Sequence, residues 1–311
     1  MAKSGVVILG IYAADLAFTA TRQPAMGETL LGSKFTLGPG GKGSNQSVAA
    51  ARAGAKVTFI SRLGKDAFGD NALAMYKTEG IATRAPQDVD ASTGAAYIFL
   101  EEATGNNAII VVPGAAGKIT VADVDAAKDV ITTSAVFMTQ LETPIAVALH
   151  ALKMAKAADV ITIFNPAPAA ALPDEIYKFC DYATPNESEA SMLTGIPVTD
   201  LASARIAADL LLAKGVGCVV ITLGGQGSLL HSKSQSIHIP IFNAGKVVDT
   251  TGAGDAFNGG LAAALARGEK PETAALFGSA VAGISVTRPG TAPSMPQLAE
   301  VEALLKTRAK S

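Results

Sequence analysis

The stretch LASARIAADLLLAKGVGCVVITLGGQG, residues 201–227, contains in one run the pattern that determines the fold. Its Ala-rich first half predicts a helix over Leu201–Lys214, and Gly215 follows at the position that favours glycine after a helix. The apolar run Cys218–Thr222 predicts a buried strand, which ends in a Gly-rich turn. One helix and one strand joined by a short glycine-containing connection are typical of an α/β protein.

The same alternation of short apolar runs and Ala-rich stretches recurs along most of the chain. Buried strands are predicted at Val6–Leu9, Val57–Ile60, Ala135–Met138, Val160–Phe164, Tyr182–Ala183 and Cys218–Thr222. Helices are predicted at Ser44–Ala53, Ala67–Glu79, Ile145–Ala157, Glu187–Leu193, Leu201–Lys214, Gly254–Arg267 and Glu272–Ser285. Strands that alternate with helices predict a mainly parallel sheet with helices on both faces, which is a three-layer α/β sandwich.

Two regions, at about residues 14–37 and 93–112, interrupt this rhythm. In the second region, Tyr97–Leu100 and Ala108–Val112 flank a polar turn, and this arrangement predicts a β-hairpin. We expect the two regions to form a small β-sheet lid inserted into a single domain of residues 1–311. A lid of this kind would exclude water from a reacting group.

Composition limits the classes of partner and compartment. The chain has 25 Lys and Arg against 27 Asp and Glu, so no general attraction to nucleic acid or to an anionic membrane is expected. No apolar run reaches about 18 residues, and Asp15 interrupts the N-terminal apolar stretch, which favours a first strand over a signal peptide. Cys180 and Cys218 lie in apolar runs and are predicted to be buried thiols, which fits a cytoplasmic protein.

The strongest local signal is Asp249-Thr-Thr-Gly-Ala-Gly-Asp-Ala-Phe257, where Thr and Gly residues lead into an Ala-rich helix. The backbone N–H groups of Gly252, Ala253 and Gly254 would lie at a helix N-terminus, which can bind an anion. Asp255 follows in the first turn, where a carboxylate can accept a proton from a hydroxyl nucleophile. The pattern indicates phosphoryl transfer; the alternative is an Asp255 that only complements the helix dipole.

A second glycine-rich segment, Gly38-Pro-Gly-Gly-Lys-Gly-Ser-Asn45, opens the predicted helix at Ser44. It matches the dinucleotide pattern G-x-G-x-x-G, but it does not follow the first strand, and residues 58–62 supply no acid for a ribose. It also lacks the P-loop spacing. We interpret it as a tight turn that brings N–H groups, Lys42 and Asn45 to a polyhydroxylated ligand; the alternative is a structural turn.

Two further segments predict ligand contacts at strand ends. Asn186 and Glu189 stand about one helical turn apart, so both could face a hydrated Mg²⁺, although a capping Asn with a first-turn Glu is the alternative. Thr222-Leu-Gly-Gly-Gln-Gly227 ends a strand in a Gly-rich turn, where open parallel sheets bind ligands. The three histidines lack metal-ligand spacing.

With these residues in view, the chain closely resembles the ribokinase branch of the ribokinase-like (PfkB) carbohydrate kinase family from about Val6 to Pro296. The resemblance is carried by a set of motifs in the family's order. They are Gly40-Gly-Lys-Gly43 with Asn45, Gly64-Lys-Asp-Ala-Phe-Gly69, Gln140-Leu-Glu142, Asn165-Pro-Ala-Pro168, Thr184-Pro-Asn-Glu187 with Glu189, Thr222-Leu-Gly224 and Asp249–Asp255.

The resemblance implies a ribokinase-like fold and a role for each matching position. It implies that Asp255 is the catalytic base, with Gly252, Ala253 and Gly254 as an anion hole. The implied sugar-binding positions are Asp15, Gly41, Lys42, Gly43, Asn45, Glu142 and Asp255, and the implied ATP-binding positions are Asn186, Thr222, Gly224, Gly227, Gly254 and Ser279. Magnesium is implied at Asn186 and Glu189, largely through water, and potassium at Asp249, Thr251, Ser285, Arg288, Gly290 and Ser294. Dimerisation through the lid is also implied.

Two departures from the family pattern bear on the ligands. Ala13 stands where a sugar-contacting Asn is usual, and Ser279 stands where a bulkier polar residue often lies near the adenine. The leading hypothesis is ATP-dependent phosphorylation of ribose at its primary hydroxyl to ribose 5-phosphate. The alternatives are a kinase for another pentose, deoxyribose, pseudouridine or adenosine, a non-catalytic sugar-binding regulator, and a nicotinamide dehydrogenase on a similar sheet.

Overall fold

A computed structural model of the chain describes residues 3–308. It confirms the three-layer α/β sandwich, because helices cover both faces of a large, mainly parallel sheet and a smaller sheet lies apart from it. The predicted domain of residues 1–311 includes residues 1–2 and 309–311, which lie outside the described residues.

The strands and helices are numbered here in chain order. The strands are β1 (Val6–Leu9), β2 (Ala13–Ala20), β3 (Lys34–Gly40), β4 (Val57–Ile60), β5 (Leu63–Gly64), β6 (Ala82–Arg84), β7 (Gln87–Asp88), β8 (Thr93–Glu101), β9 (Asn107–Gly114), β10 (Val136–Thr139), β11 (Ile161–Phe164), β12 (Tyr182–Ala183), β13 (Cys218–Thr222), β14 (Ser228–Ser232) and β15 (Ser236–Ile239). The helices are α1 (Lys42–Arg52), α2 (Ala67–Thr78), α3 (Val121–Ala126), α4 (Lys128–Thr133), α5 (Ile145–Ala157), α6 (Glu187–Thr194), α7 (Leu201–Lys214), α8 (Ala253–Ala266), α9 (Pro271–Ser285) and α10 (Leu298–Arg308).

The main sheet has the spatial order β15-β14-β13-β12-β11-β10-β1-β4-β6. The strands from β6 to β13 are parallel, whereas β14 and β15 form an antiparallel edge. The carboxyl ends of the parallel strands therefore lie along one edge of the sheet. In open sheets of this kind that edge is where ligands bind.

Burial on both faces explains why these strands are continuous apolar runs. All four residues of β1 are buried, and they alternate between two hydrophobic cores. Val6 and Ile8 pack in the core that contains residues of α1, α8 and α9. Val7 and Leu9 pack in the core on the opposite face, with residues of α5 and α7. This division is the period-two alternation of a strand covered on both sides.

The smaller sheet has the order β3-β2-β8-β9 and forms from the two regions that interrupt the strand–helix rhythm. β8 and β9 pair antiparallel, which confirms the predicted hairpin. On one face, Phe18 packs against Phe35 and Tyr97, with ring centroids 5.0 and 5.8 Å away. Phe18 and Phe35 nevertheless remain exposed, as do Ile110 and Val112 of β9, so this sheet presents an apolar surface to its surroundings.

The motif Gly64–Gly69 anchors the smaller sheet to the main body. The Asp66 carboxylate caps α2 by accepting from the Gly69 N–H, and it also accepts from the backbone and hydroxyl of Thr93, each at 2.7 Å. The Thr93 hydroxyl in turn accepts from the Gly64 N–H at 2.9 Å. Since Thr93 is the first residue of β8, these bonds fix where that strand leaves the main body.

We expect Thr93→Val to lower the free energy of unfolding by about 1–3 kcal/mol, because it leaves the buried Gly64 N–H without an acceptor and removes a hydrogen bond to a carboxylate. Chemical denaturation monitored by circular dichroism measures this change. The matched control is Thr104→Val at the exposed hairpin turn, which should change the free energy by less than about 0.5 kcal/mol. Equal effects of the two substitutions would contradict the anchoring role.

Candidate active site

The predicted sugar-binding residues converge at the carboxyl edge of the main sheet, beneath the smaller sheet. The Asn45 side-chain amide donates to Asp255 Oδ2 at 3.0 Å, which joins the N-terminal turns of α1 and α8. The backbone N–H of Lys42 donates to Glu142 Oε2 at 2.8 Å. Asp15, on β2 of the smaller sheet, is close enough for the Asp255 charge to raise its pKa. The structure thus brings together side chains far apart in the sequence.

The turn before α1 requires glycine. Gly41 has φ of +87°, and a Cβ on it would lie 2.5 Å from the carbonyl oxygen of Ile11. Only glycine adopts this conformation at so close an approach. The turn places Lys42 as the first helical residue, with Gly43 and Asn45 buried behind it.

The sugar side of the site holds carboxylates whose ionisation is disfavoured by burial. Burial raises the pKa of Glu142 to about 7, although Lys42 opposes the shift. Burial likewise raises the pKa of Asp15 to about 6, with a further contribution from Asp255. Burial disfavours the Lys42 ammonium, yet the neighbouring carboxylates outweigh it and raise the Lys42 pKa. The site therefore holds a protonated lysine beside two carboxyl groups, Glu142 and Asp15, whose pKa values are raised toward neutrality.

Asp255 is 7% exposed and lies in the first turn of α8. Burial raises its pKa, and the Lys42 charge and the amides of Asn45 and Gln46 lower it. The Gln46 amide donates to Asp255 Oδ1 at 3.0 Å. Sequence reasoning missed Gln46, but its place one helical turn after Lys42 was a signal, because residues four apart share a helix face.

The predicted anion hole precedes Asp255. Gly252 has φ of +77° and packs against Thr291, to which a Cβ on it would come within 3.3 Å. α8 begins at Ala253, and the first N–H groups of a helix have no acceptor within it. The Ala253 N–H donates to Thr250 O at 3.2 Å, so this one of the three predicted groups is engaged in the turn. Gly252 and Gly254 flank it at the helix N-terminus.

The predicted nucleotide-side residues lie farther along the same edge. Asn186 and Thr222 form a parallel bridge between chain segments, and Gly224 and Gly227 shape the turn that follows Thr222. The Ser279 hydroxyl donates to the Pro240 carbonyl at 3.0 Å and so holds the segment that leads to α8. That segment also carries exposed apolar side chains that the sequence did not single out: Ile241, Val247 and Val248.

Asn186 and Glu189 form a capping box at the start of α6. Asn186 Oδ1 accepts from the Glu189 N–H at 2.8 Å, and Glu189 Oε2 accepts from the Asn186 N–H at 2.9 Å. The structure therefore shows the capping alternative. Glu189 is buried, and its pKa is raised by burial and by the Asp255 charge and lowered by the Lys42 charge. Across residues 3–308, no group of three or more His, Cys, Asp or Glu is arranged to hold a metal ion. A Mg²⁺ held largely through water is compatible with this donor set.

Most of the residues predicted for a monovalent cation lie on two loops joined by Asp249, and Ser285 is the last residue of α9. Its carboxylate accepts from the Thr251 N–H and from the Gly290 N–H, each at 2.9 Å. The hydroxyls of Ser285 and Ser294 donate within their own turns, and the Arg288 guanidinium pairs with Glu300. Carboxylate and carbonyl oxygens thus remain as the donors that suit a hard cation, and the cation site stays a prediction.

Comparisons with known proteins identify the family. The profile of the pfkB family carbohydrate kinases matches residues 3–298. The chain is 39% identical to ribokinase from Haemophilus influenzae over 295 residues, which is 94% of this chain and 96% of that protein. It is 35% identical to deoxyribokinase from Salmonella typhi, over 94% of this chain and 96% of that protein.

A solved structure shares the whole architecture. Arabidopsis thaliana ribokinase complexed with ribose and ATP superposes with a TM-score of 0.91 at 31% identity, covering 98% of this chain and 99% of that one. In the described part of the chain, no helix is long and apolar enough to cross a membrane. The family match over almost the full length, and relatives well above 30% identity, show that the chain belongs to the pfkB family of carbohydrate kinases.

Proposed function

We propose that this chain catalyses the ATP-dependent phosphorylation of D-ribose at its primary hydroxyl, giving ribose 5-phosphate and ADP. The observation that carries the proposal is the buried Asp255 carboxylate at the N-terminus of α8, hydrogen-bonded to Asn45 and facing Lys42. Full-length similarity to proteins named ribokinase supports the choice of sugar, and so does the likeness to a ribokinase complexed with ribose and ATP.

In the proposed reaction, Asp255 accepts the proton of the sugar hydroxyl as its oxygen attacks the γ-phosphorus of ATP. The bond between that phosphorus and the β,γ-bridging oxygen breaks, and ADP leaves with the electron pair. The N–H groups at Gly252 and Gly254 face the transferring group, where fixed donors stabilise developing negative charge. Phosphoryl transfer asks the protein chiefly to position the reactants and stabilise charge, and this site offers both.

The sugar subsite would be built from Asp15, Lys42, Asn45 and Glu142. Carboxylate oxygens accept hydrogen bonds from sugar hydroxyls, whereas the Lys42 ammonium and the Asn45 amide donate them. Asp15 comes from the smaller sheet and the others from the main body. We infer that the smaller sheet acts as a lid, because a sugar bound between these groups would hold the two parts of the molecule together.

The nucleotide would lie along Asn186, Thr222, Gly224 and Gly227, with Gly254 at its phosphates and Ser279 near its base. Magnesium, when bound with ATP, neutralises phosphate charge, and Asn186 and Glu189 are the residues proposed to hold its waters. A potassium ion is proposed between the loops that Asp249 joins. Its donors would come from Asp249, Thr251, Ser285, Arg288, Gly290 and Ser294. Such a charge would fix the neighbouring Gly252–Gly254 turn.

We further propose that the chain forms a homodimer through its smaller sheet and works in the cytoplasm. The exposed apolar side chains of β2, β3 and β9 form a surface of the kind that mediates protein association. Buried, unpaired thiols at Cys180 and Cys218 fit a reducing compartment.

A deoxysugar kinase is the second candidate function, and Ala13 favours it. Ala13 is two residues from Asp15 on β2, so both side chains project from the same face of that strand. A buried methyl group there offers no hydrogen bond, and a site that lacks one neutral hydrogen bond loses about 0.5–1.5 kcal/mol toward the matching hydroxyl. The 35% identity to a deoxyribokinase supports keeping this candidate.

One experiment separates the candidates and tests the base. We expect the wild-type protein, with ATP, Mg²⁺ and K⁺, to phosphorylate ribose with a higher kcat/KM than 2-deoxyribose, arabinose, fructose, adenosine or pseudouridine. Asp255→Asn should bind ribose but lose at least about a hundredfold in kcat, because general base catalysis contributes about 10²–10⁴. The control Asp90→Asn, at an exposed turn, should keep the wild-type rate.

Preference for 2-deoxyribose would favour the deoxysugar candidate and leave the kinase chemistry intact. Ribose binding without turnover by the wild-type protein would favour a sugar-binding regulator. A wild-type kcat in Asp255→Asn would remove the base assignment.

The pKa values of the sugar-side carboxylates predict pH-dependent binding. With a pKa of about 7, Glu142 is ionised at pH 8 and about nine-tenths protonated at pH 6, when it no longer accepts through both oxygens. The KM for ribose should therefore rise by roughly tenfold from pH 8 to pH 6, and further below pH 6 as Asp15 protonates. Steady-state kinetics across this range measure the change.

Glu142→Gln should have a raised KM with a flatter pH profile over the same range. The control Glu302→Gln, on the exposed side of α10, should keep the wild-type profile. A KM for ribose that is constant from pH 8 to pH 6 in the wild-type protein would show that Glu142 does not bind the sugar as a carboxylate.

The proposed cation site predicts that kcat is higher in K⁺ than in Na⁺ at equal ionic strength. In Asp249→Asn, kcat should be the same in K⁺ and in Na⁺, because the substitution removes the negative charge between the two loops. The ratio, rather than the absolute rate, is the measurement, since the substitution also alters the loop itself. Equal rates in the two salts for the wild-type protein would eliminate the cation site.

A further inference from the structure

A chain of buried amide side chains runs beneath Asp255 and uses motif residues to which the reaction assigns no ligand. Gln140 donates to Gln46 Oε1, and the Gln46 amide donates to Asn165 Oδ1 at 3.1 Å. The Asn165 amide donates to the backbone carbonyl of Thr184 at 2.9 Å. Gln46 is 0% exposed, so its amide group has only protein partners.

The direction of this chain of hydrogen bonds is fixed at its far end. The Thr184 carbonyl can only accept, so Asn165 must turn its NH₂ group toward it and its oxygen toward Gln46. Gln46 must then present its own NH₂ group to Asn165, and the same nitrogen reaches Asp255 Oδ1 at 3.0 Å. A flipped Gln46 amide would set its oxygen against the carboxylate and against Asn165. The network therefore commits Gln46 to donate to Asp255.

A second branch from Thr184 reaches the other side of the same helix turn. The Thr184 hydroxyl donates to Asn258 Oδ1 at 2.6 Å, and the Asn258 amide donates to the Gly254 carbonyl at 2.9 Å. One threonine therefore holds the carboxylate through Gln46 and the preceding backbone through Asn258. The first turn of α8 is clamped on both sides by buried, directional hydrogen bonds.

We propose that Gln46 is a positioning residue that occupies Asp255 Oδ1 and thereby leaves Oδ2, which Asn45 contacts, as the atom that accepts the proton of the sugar hydroxyl. This inference rests on the proposed role of Asp255 as the base. Gln46 lies on the fully buried side of the carboxylate, whereas Asn45 belongs to the predicted sugar subsite. Gln140 and Asn165 act through Gln46 and do not touch the substrate.

Removal of the Gln46 donor should change the pKa of Asp255, whereas a purely structural role of Gln46 would leave that pKa unchanged. A hydrogen bond to the ionised form of a carboxylate lowers its pKa, by about one unit for each donor in favourable cases. The Lys42 charge on α1 also acts on Asp255, and the Asp255 charge acts on Glu142 after β10, Asp15 on β2 and Glu189 on α6. Loss of the Gln46 donor leaves all of these groups in place and should raise the pKa of Asp255.

The test is Gln46→Met, which keeps the length of the side chain and removes the donor. At saturating ribose and ATP, we expect the acidic limb of the kcat profile to move up by about one pH unit, so that kcat at any one pH on that limb falls about tenfold. The loss should shrink as pH rises, because the unprotonated base is restored. The use of kcat separates this effect from Glu142 and Asp15, whose titration changes KM for the sugar.

The matched control is Ser47→Ala, the next residue of α1, which is also buried and whose hydroxyl donates to the Gly43 carbonyl. It should lower the melting temperature without moving the pH profile. Asp255→Asn is measured in parallel to separate the two hypotheses. If Asp255→Asn is inactive while Gln46→Met keeps the wild-type profile, or loses rate equally at every pH, only the Gln46 proposal is overturned. An active Asp255→Asn overturns the proposed base itself.

If Gln46→Met does not fold, Gln46→Leu carries the test. Leucine has nearly the volume of glutamine and likewise offers Asp255 no donor. The acidic limb should move up as in Gln46→Met, because the Asp255 carboxylate loses the same hydrogen bond. A folded Gln46→Leu protein with an unmoved limb would equally overturn the proposal.

Discussion

The burial of one carboxylate, that of Asp255, is the constraint on which the rest of the site depends. Moving an ionised carboxylate out of water costs several kcal/mol unless charges and hydrogen bonds replace its hydration. Here the replacements are the Lys42 ammonium, the amides of Asn45 and Gln46, and the N-terminus of α8. Three of these come from α1, so the carboxylate can remain ionised only while α1 and α8 are held together. An ionised Asp255 thus requires close packing of α1 against α8.

Small side chains satisfy that demand. The faces of α1, α8 and α9 that meet in the core are rich in fully buried alanines, including Ala49, Ala50, Ala256 and Ala263. Helices approach closely when the side chains between them are small, and here the close approach brings the amides of Asn45 and Gln46 within 3.0 Å of the Asp255 carboxylate. The high alanine content that predicted helices from sequence therefore also sets the spacing between α1 and Asp255.

Much of the fold was predictable because its strands are buried on both faces. The runs Val6–Leu9 and Cys218–Thr222 coincide with β1 and β13, since a continuous apolar run cannot be an exposed strand. The turns of the candidate site were predictable where a backbone requirement left a glycine signature, as before Lys42 and Asp255. Gln46 was not, because a buried glutamine in a helix looks like an ordinary polar position until its partners, Gln140 and Asn165, are known. Those partners lie about 90 to 120 residues away, and no local pattern records them.

Thr291 connects the candidate site to the smaller sheet. Its hydroxyl donates to the Pro39 carbonyl at 2.8 Å, at the end of β3 next to the sugar subsite, and its side chain packs against Gly252 of the predicted anion hole. Asp249, which joins the two loops of the proposed cation site, bonds to Gly290 beside it. Thr291 therefore connects the end of β3 directly to Gly252. In the proposed reaction, this one side chain would link the smaller sheet, beside the predicted sugar subsite, to the turn that stabilises the phosphoryl group.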